Sequence, residues 1–67
     1  MDRLILEING KNIMVQIVKD QHNLHRISVD SSFAGYYDTT GKDTNYMGNF
    51  TSEEIEFIEN KIMNAIN

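Results

Sequence analysis

Asn9 and Gly10 constrain this chain more than any other residues, because they decide how the apolar runs on either side of them pair. A two-residue type I′ turn needs positive φ at both central positions, which Asn tolerates and Gly adopts freely. With Asn9 and Gly10 in those places, Ile8 faces Lys11, Leu6 faces Ile13, Ile5 faces Met14 and Leu4 faces Val15. Side chains alternate along a strand, so Leu4, Leu6 and Ile8 share one face with Ile13, Val15 and Ile17. A slip of one residue would mix Ile13 and Val15 with Arg3 and Glu7. Turn chemistry and apolar pattern specify the same hairpin.

The other hairpin face carries Arg3, Glu7, Asn12 and Gln16, but also Ile5 opposite Met14. Apolar residues outside the core pattern mark contact surfaces when they cluster, so Ile5 and Met14 are expected partner-binding residues. Asp20-Gln21-His22-Asn23 interrupts the alternation and reads as a connection. Leu24 to Val29 resumes it, with His25, Ile27 and Val29 on one side and Leu24, Arg26 and Ser28 on the other. The short connection makes this third strand antiparallel to the second. Asp30-Ser31-Ser32 supplies turn residues, and the aromatic-rich Phe33 to Asp38 reads as a fourth strand. Gly35 inside it predicts a bulge or a close backbone approach. Thr39-Thr40-Gly41-Lys42 suits a tight turn, and Asn45 to Phe50 a short fifth strand.

The last element declares itself through its start. Thr51-Ser52-Glu53-Glu54 is a capping box, in which Thr51 and Glu54 side chains satisfy each other's backbone amides. Phe50 before the cap and Ile55 inside the helix form the matching apolar staple. The pattern predicts a helix from Ser52 to about Ala65, with Ile55, Ile58, Ile62 and Ile66 as its core stripe. Phe57 lies about 160° around the helix from Ile55, among Glu53, Asn60, Lys61 and Asn64, and is expected to be an exposed anchor for a partner. The expected fold is therefore α+β: an antiparallel sheet of four or five strands, opened by the hairpin, with one C-terminal helix packed on one face. All 67 residues belong to that single domain.

Composition narrows the chemistry. No Cys is present, so disulfides and Cys-based zinc sites are excluded, and a reducing, cytoplasmic setting fits. The N-terminus carries an acid, Asp2, and Glu7 interrupts the first apolar run, so neither a signal peptide nor a membrane span is expected there. Asn49-Phe50-Thr51 matches a glycosylation sequon and, without a secretory signal, reads as chance. Ten acidic against six basic residues give a net charge of −4, which disfavours direct nucleic-acid binding. Asp20, His22 and His25 form D-x-H-x-x-H, the nearest approach to a metal site. Residues three apart converge on a helix and not on a strand, so no metal is expected there, and the serines nearby supply no assembled nucleophile. Gly41-Lys42 lacks the rest of a phosphate-binding loop, and Asp38, Asp43 and Asn45 do not follow calcium-loop spacing. Turn chemistry accounts for these residues without a ligand.

The aromatic cluster of Phe33, Tyr36, Tyr37 and Tyr46 has no basic groove beside it, so packing and protein contact are favoured over base stacking. Alternation sends Tyr36 and Tyr37 to opposite faces, and Tyr36 joins Ile5, Met14 and Phe57 as an expected partner-binding residue. In layout, strands followed by the capped helix TSEEIEFIENKI, the chain resembles HicB-like antitoxin domains. That resemblance implies a fold and carries no residue roles.

The sequence therefore predicts a non-catalytic interaction or regulatory protein of bacterial or phage type. It would need no cofactor, bind another protein and self-associate, because so small a core leaves little stability to spare. The rival expectation is an acidic inhibitor of a nucleic-acid-binding protein, of anti-defence or antitoxin-like kind, resting on the net negative charge and notably on Glu53, Glu54, Glu56 and Glu59. A small enzyme or metal-binding protein using His22 and His25 ranks below both.

Overall fold

The computed structural model describes residues 3–66. Five strands, β1 (Arg3–Ile8), β2 (Lys11–Val18), β3 (Gln21–Val29), β4 (Ser32–Asp38) and β5 (Asn45–Tyr46), precede one helix, α1 (Ser52–Ile66). The strands form a single antiparallel sheet in chain order, β1-β2-β3-β4-β5. This is the α+β architecture that the hairpin and the capped helix predict.

The first hairpin pairs as its turn dictates: Leu4 with Val15, Ile5 with Met14, Leu6 with Ile13 and Ile8 with Lys11. Asn9 and Gly10 both have positive φ, 52° and 79°, as a type I′ turn requires. Asp30 and Ser31 repeat the device between β3 and β4, with φ of 49° and 73°. At the β2–β3 turn only Asp20 is left-handed, next to a register shift at Ile17 and Val18.

Two boundaries differ from the sequence expectation by more than one residue. β3 begins at Gln21, so Gln21, His22 and Asn23 are strand and not connection. All three are exposed, and a polar strand end carries no apolar alternation to announce it. β5 is confined to Asn45 and Tyr46, because the next amides, Met47 and Gly48, both turn onto the Ala34 carbonyl.

Gly35 marks both a bulge and a close approach. The register shifts between Ile27 and Ser28 where β3 meets β4, and Ala34 takes a buried place in the core. Gly35 sits at φ 133°, and a Cβ on it would lie 2.3 Å from the Asn45 carbonyl oxygen.

The helix covers the face bearing Leu6, Ile13, Val15 and Ile27, which bury together with Ala34, Ile58 and Ile62. Leu4, Ile8, Val29, Tyr37, Tyr46 and Phe50 pack around them, half-buried. The helix is rotated from its expected setting. Its buried residues are Glu54, Ile58 and Ile62, while Ile66 is 44% exposed and Ile55 only half-buried. Phe57, expected to be exposed, is half-buried and packs against the core. It lies about 60° from Glu54 around the helix, so burying Glu54 draws Phe57 inward.

Glu54 is buried because it ties the helix start to the first hairpin turn. Its carboxylate accepts from Asn9 Nδ2 at 2.8 Å, Lys11 Nζ at 2.7 Å and the Thr51 amide at 3.0 Å. The Thr51 hydroxyl accepts from the Glu54 amide at 3.1 Å, which completes the capping box. Such a cap is worth about 0.5–2 kcal/mol over Ala. Lys11 also donates to the Asn49 carbonyl at 2.6 Å and lies 5.3 Å from the centre of the Phe50 ring. The residues that set the hairpin register thus also fix where the helix begins.

The bonds from Asn9, Lys11 and Thr51 hold the Glu54 carboxyl at about 2, below its ordinary 4.5. A carboxyl depressed on folding contributes stability above its unfolded value, and loses it as pH falls through the folded one. Acid should therefore remove the clamp between about pH 4.5 and 2. Thermal melts across that range check this: the gap between the native chain and Glu54→Gln should narrow toward pH 2 and stay constant above pH 5.

Candidate interaction surface

On the helix-free face, register places Ile5 beside Met14, Met14 beside Ser28, and Ser28 beside Phe33. Gln16, Arg26 and Tyr36 form the adjacent row. Arg26 stands at the centre. Its guanidinium donates to the Ser28 hydroxyl at 2.9 Å and lies 4.9 Å from the centre of the Phe33 ring. Phe33 in turn meets Tyr36 edge to face, with centroids 5.1 Å apart. Ser28 is only 3% exposed on this open face, so the cross-strand cluster has some depth. Arg26 is thereby pre-arranged at little further entropic cost on binding.

The expected partner residues divide between two surfaces. Ile5, 66% exposed, and half-buried Met14 are adjacent on the helix-free face, with Tyr36 in the next row. Phe57 is on the helix, across the sheet from them, with Lys61 Nζ 5.5 Å from its ring centre. Phe33 and Arg26 also belong to this surface: the shared parity of Arg26 with Ser28 and Leu24 sets its face, but which aromatic ring of β4 it meets depends on the bulge at Gly35.

His22 and His25 do not converge. Both lie on β3, with His22 exposed and His25 fully buried, its ring centre 6.4 Å from that of Tyr37. Neither His25 ring nitrogen has a hydrogen-bond partner among the described residues. No group of three or more metal-binding side chains occurs among the described residues.

Asp38 organises the loop after β4 in a way that spacing alone did not reveal. One carboxylate oxygen accepts from the Thr40 amide at 2.8 Å and the Thr40 hydroxyl at 2.7 Å, and the other from the Asp43 amide at 3.1 Å. The Thr40 hydroxyl and amide, followed by the Asp43 amide and the Lys42 charge, hold the Asp38 carboxyl below its ordinary range. The Asp38 oxygens are committed to the chain's own donors.

The helix acids are also partly committed. Glu54 is bound as described, and Glu59 accepts from the Tyr46 hydroxyl at 2.9 Å. Burial, then the Glu59 carboxylate, pushes the Tyr46 phenol up. Burial, then Glu59 and Asp38, does the same for Tyr37. Glu53 and Glu56 remain exposed.

No helix among the described residues is long and apolar enough to cross a membrane. Comparison with models of known protein families, with curated proteins and with solved structures finds no match.

Proposed function

We propose that this chain is a small non-catalytic interaction protein that binds another protein through the helix-free face of its sheet. The reading rests on the surface that Ile5 and Met14 form beside Phe33, Tyr36 and Arg26, left uncovered because the helix packs on the opposite face. Aromatic side chains and Arg are the types that dominate protein interfaces, and here they are already arranged against one another. Pairing of the acids Glu54 and Glu59 inside the fold favours this surface over an acidic stripe on the helix.

A photo-crosslinking residue at Tyr36 or Met14, introduced in the source cell, should trap one target, while the same residue at Glu53 should not. Binding of the trapped target by purified chain should weaken about tenfold or more in Phe33→Ala. It should change little between low and high salt, because apolar docking is screened far less than steering by charge. Crosslinking only from Glu53, with steep loss of affinity in salt, would give the site to the helix acids and overturn the reading.

A further inference from the structure

The two edges of the sheet are built differently. At one edge β5 has only two residues, and the Met47 and Gly48 amides are turned inward to the Ala34 carbonyl. At the other edge β1 presents six residues with no proline and no bulge in its pairing to β2. Short or blunted edges prevent strands from adding, whereas a regular open one is a template for pairing.

The register identifies which groups β1 offers. A two-residue hairpin is closed by a hydrogen-bonded pair, here Ile8 and Lys11, and bonded and non-bonded pairs alternate from there. Leu6 and Leu4 are therefore bonded to β2, while Arg3, Ile5 and Glu7 point their N–H and C=O groups outward. The Asn12 carbonyl, in the non-bonded pair with Glu7, bonds across to Asp30 on the far side, as this phase requires.

We infer that β1 pairs antiparallel with β1 of a second copy of this chain, about a two-fold axis at Ile5, joining the two sheets into one. Of the registers available, the one centred on Ile5 gives every outward backbone group of Arg3, Ile5 and Glu7 a partner. A shift by one residue pair in either direction leaves some unpaired. The same register sets Ile5 against Ile5 of the second copy, and Arg3 of each copy against Glu7 of the other. Arg3 and Glu7 are exposed and, among the described residues, in no ion pair. They stand about 13 Å apart along their own strand and do not pair with each other. On the helix-bearing face Leu4 meets Leu6 of the second copy, covering a half-buried leucine. Backbone, charge and apolar matching select one isologous contact. This contact does not depend on what the helix-free face binds.

Sedimentation velocity of the full chain up to about 1 mM tests the contact. The native chain should dimerise. Arg3→Glu and Glu7→Arg should each weaken the dimer about tenfold or more, since each places like charges opposite one another at both ends of the contact. An equimolar mixture of the two variants should recover it, because Arg3→Glu presents only acids to a chain that presents only bases. A chemically synthesised chain N-methylated at Ile5 loses one outward donor and none of the β1–β2 bonds, and should be monomeric. Circular dichroism melts confirm that each variant is folded. A native chain that stays monomeric throughout, a dimer indifferent to both charge reversals and to methylation, or a mixture that fails to recover association would overturn the inference. Phe33→Ala should leave the dimer intact, so its failure and that of target binding are read separately.

Discussion

Gly35→Ala should cost about 2–6 kcal/mol and detach β5 from the sheet. A side chain held at φ 133° carries a backbone penalty of about 1–3 kcal/mol. The added methyl meets the Asn45 carbonyl oxygen at 2.3 Å, Tyr46 Cα at 2.9 Å and the Met47 nitrogen at 3.0 Å. All three are backbone atoms, so no rotamer change relieves the clash, and overpacking of this kind adds about 1–3 kcal/mol. Gly10→Ala is the control. Gly10 also has positive φ, 79°, but nothing lies within 4 Å of its added Cβ, so it should show only a backbone cost of about 1–2 kcal/mol. Urea denaturation of both variants measures the difference, and amide exchange should show Met47 and Gly48 losing protection only in Gly35→Ala. Equal costs would mean that β5 yields freely to the methyl, and that the close approach is unimportant to stability.

The contrast between these glycines also shows which features the sequence makes legible. Asn9-Gly10 is readable because turn type, register and apolar alternation all depend on the same two residues and agree. The capping box is readable for a similar reason: Thr51 and Glu54 act over one helical turn. The start of β3 is not readable, since Gln21, His22 and Asn23 are exposed and what holds them is tertiary: Gln21 stands opposite Val18, and the Asn23 carbonyl accepts from the Thr39 amide. Glu54 is the more instructive miss. Its local role as a capping partner is written in the chain, but its burial depends on Asn9 and Lys11, 45 and 43 residues away. No local pattern encodes that meeting. Once Glu54 is placed inside, the helix face must turn from the Ile55–Ile66 stripe toward Phe57.

The candidate surface follows the same division. Ile5 and Met14 are legible because hairpin register alone sets them side by side, opposite the core residues. Arg26 and Phe33 are not, because the bulge at Gly35 shifts β4 by one residue against β3. Simple alternation from Phe33 to Asp38 cannot show which aromatic ring lies under the guanidinium.

Helix orientation carries the second large expected effect. Ile58→Ala should destabilise the chain by about 2–5 kcal/mol, the range for removing a fully enclosed aliphatic side chain where the surroundings cannot collapse. Ile58 is 0% exposed and packs in the cluster of Leu6, Ile13, Val15, Ile27 and Ile62. A chain of this length commonly has roughly 3–10 kcal/mol of stability in total, so the variant should be substantially unfolded at moderate temperature. Ile66→Ala changes the same residue type in the same helix, yet Ile66 is 44% exposed and should cost less than about 0.5 kcal/mol. Phe57→Ala should fall between them, since Phe57 is half-buried against the core. Thermal melts of the three variants rank the positions directly. If Ile66→Ala matched Ile58→Ala while Phe57→Ala was silent, the helix would present its isoleucine stripe to the sheet, Glu54 would be drawn away from Asn9 and Lys11, and Phe57 would return to the surface.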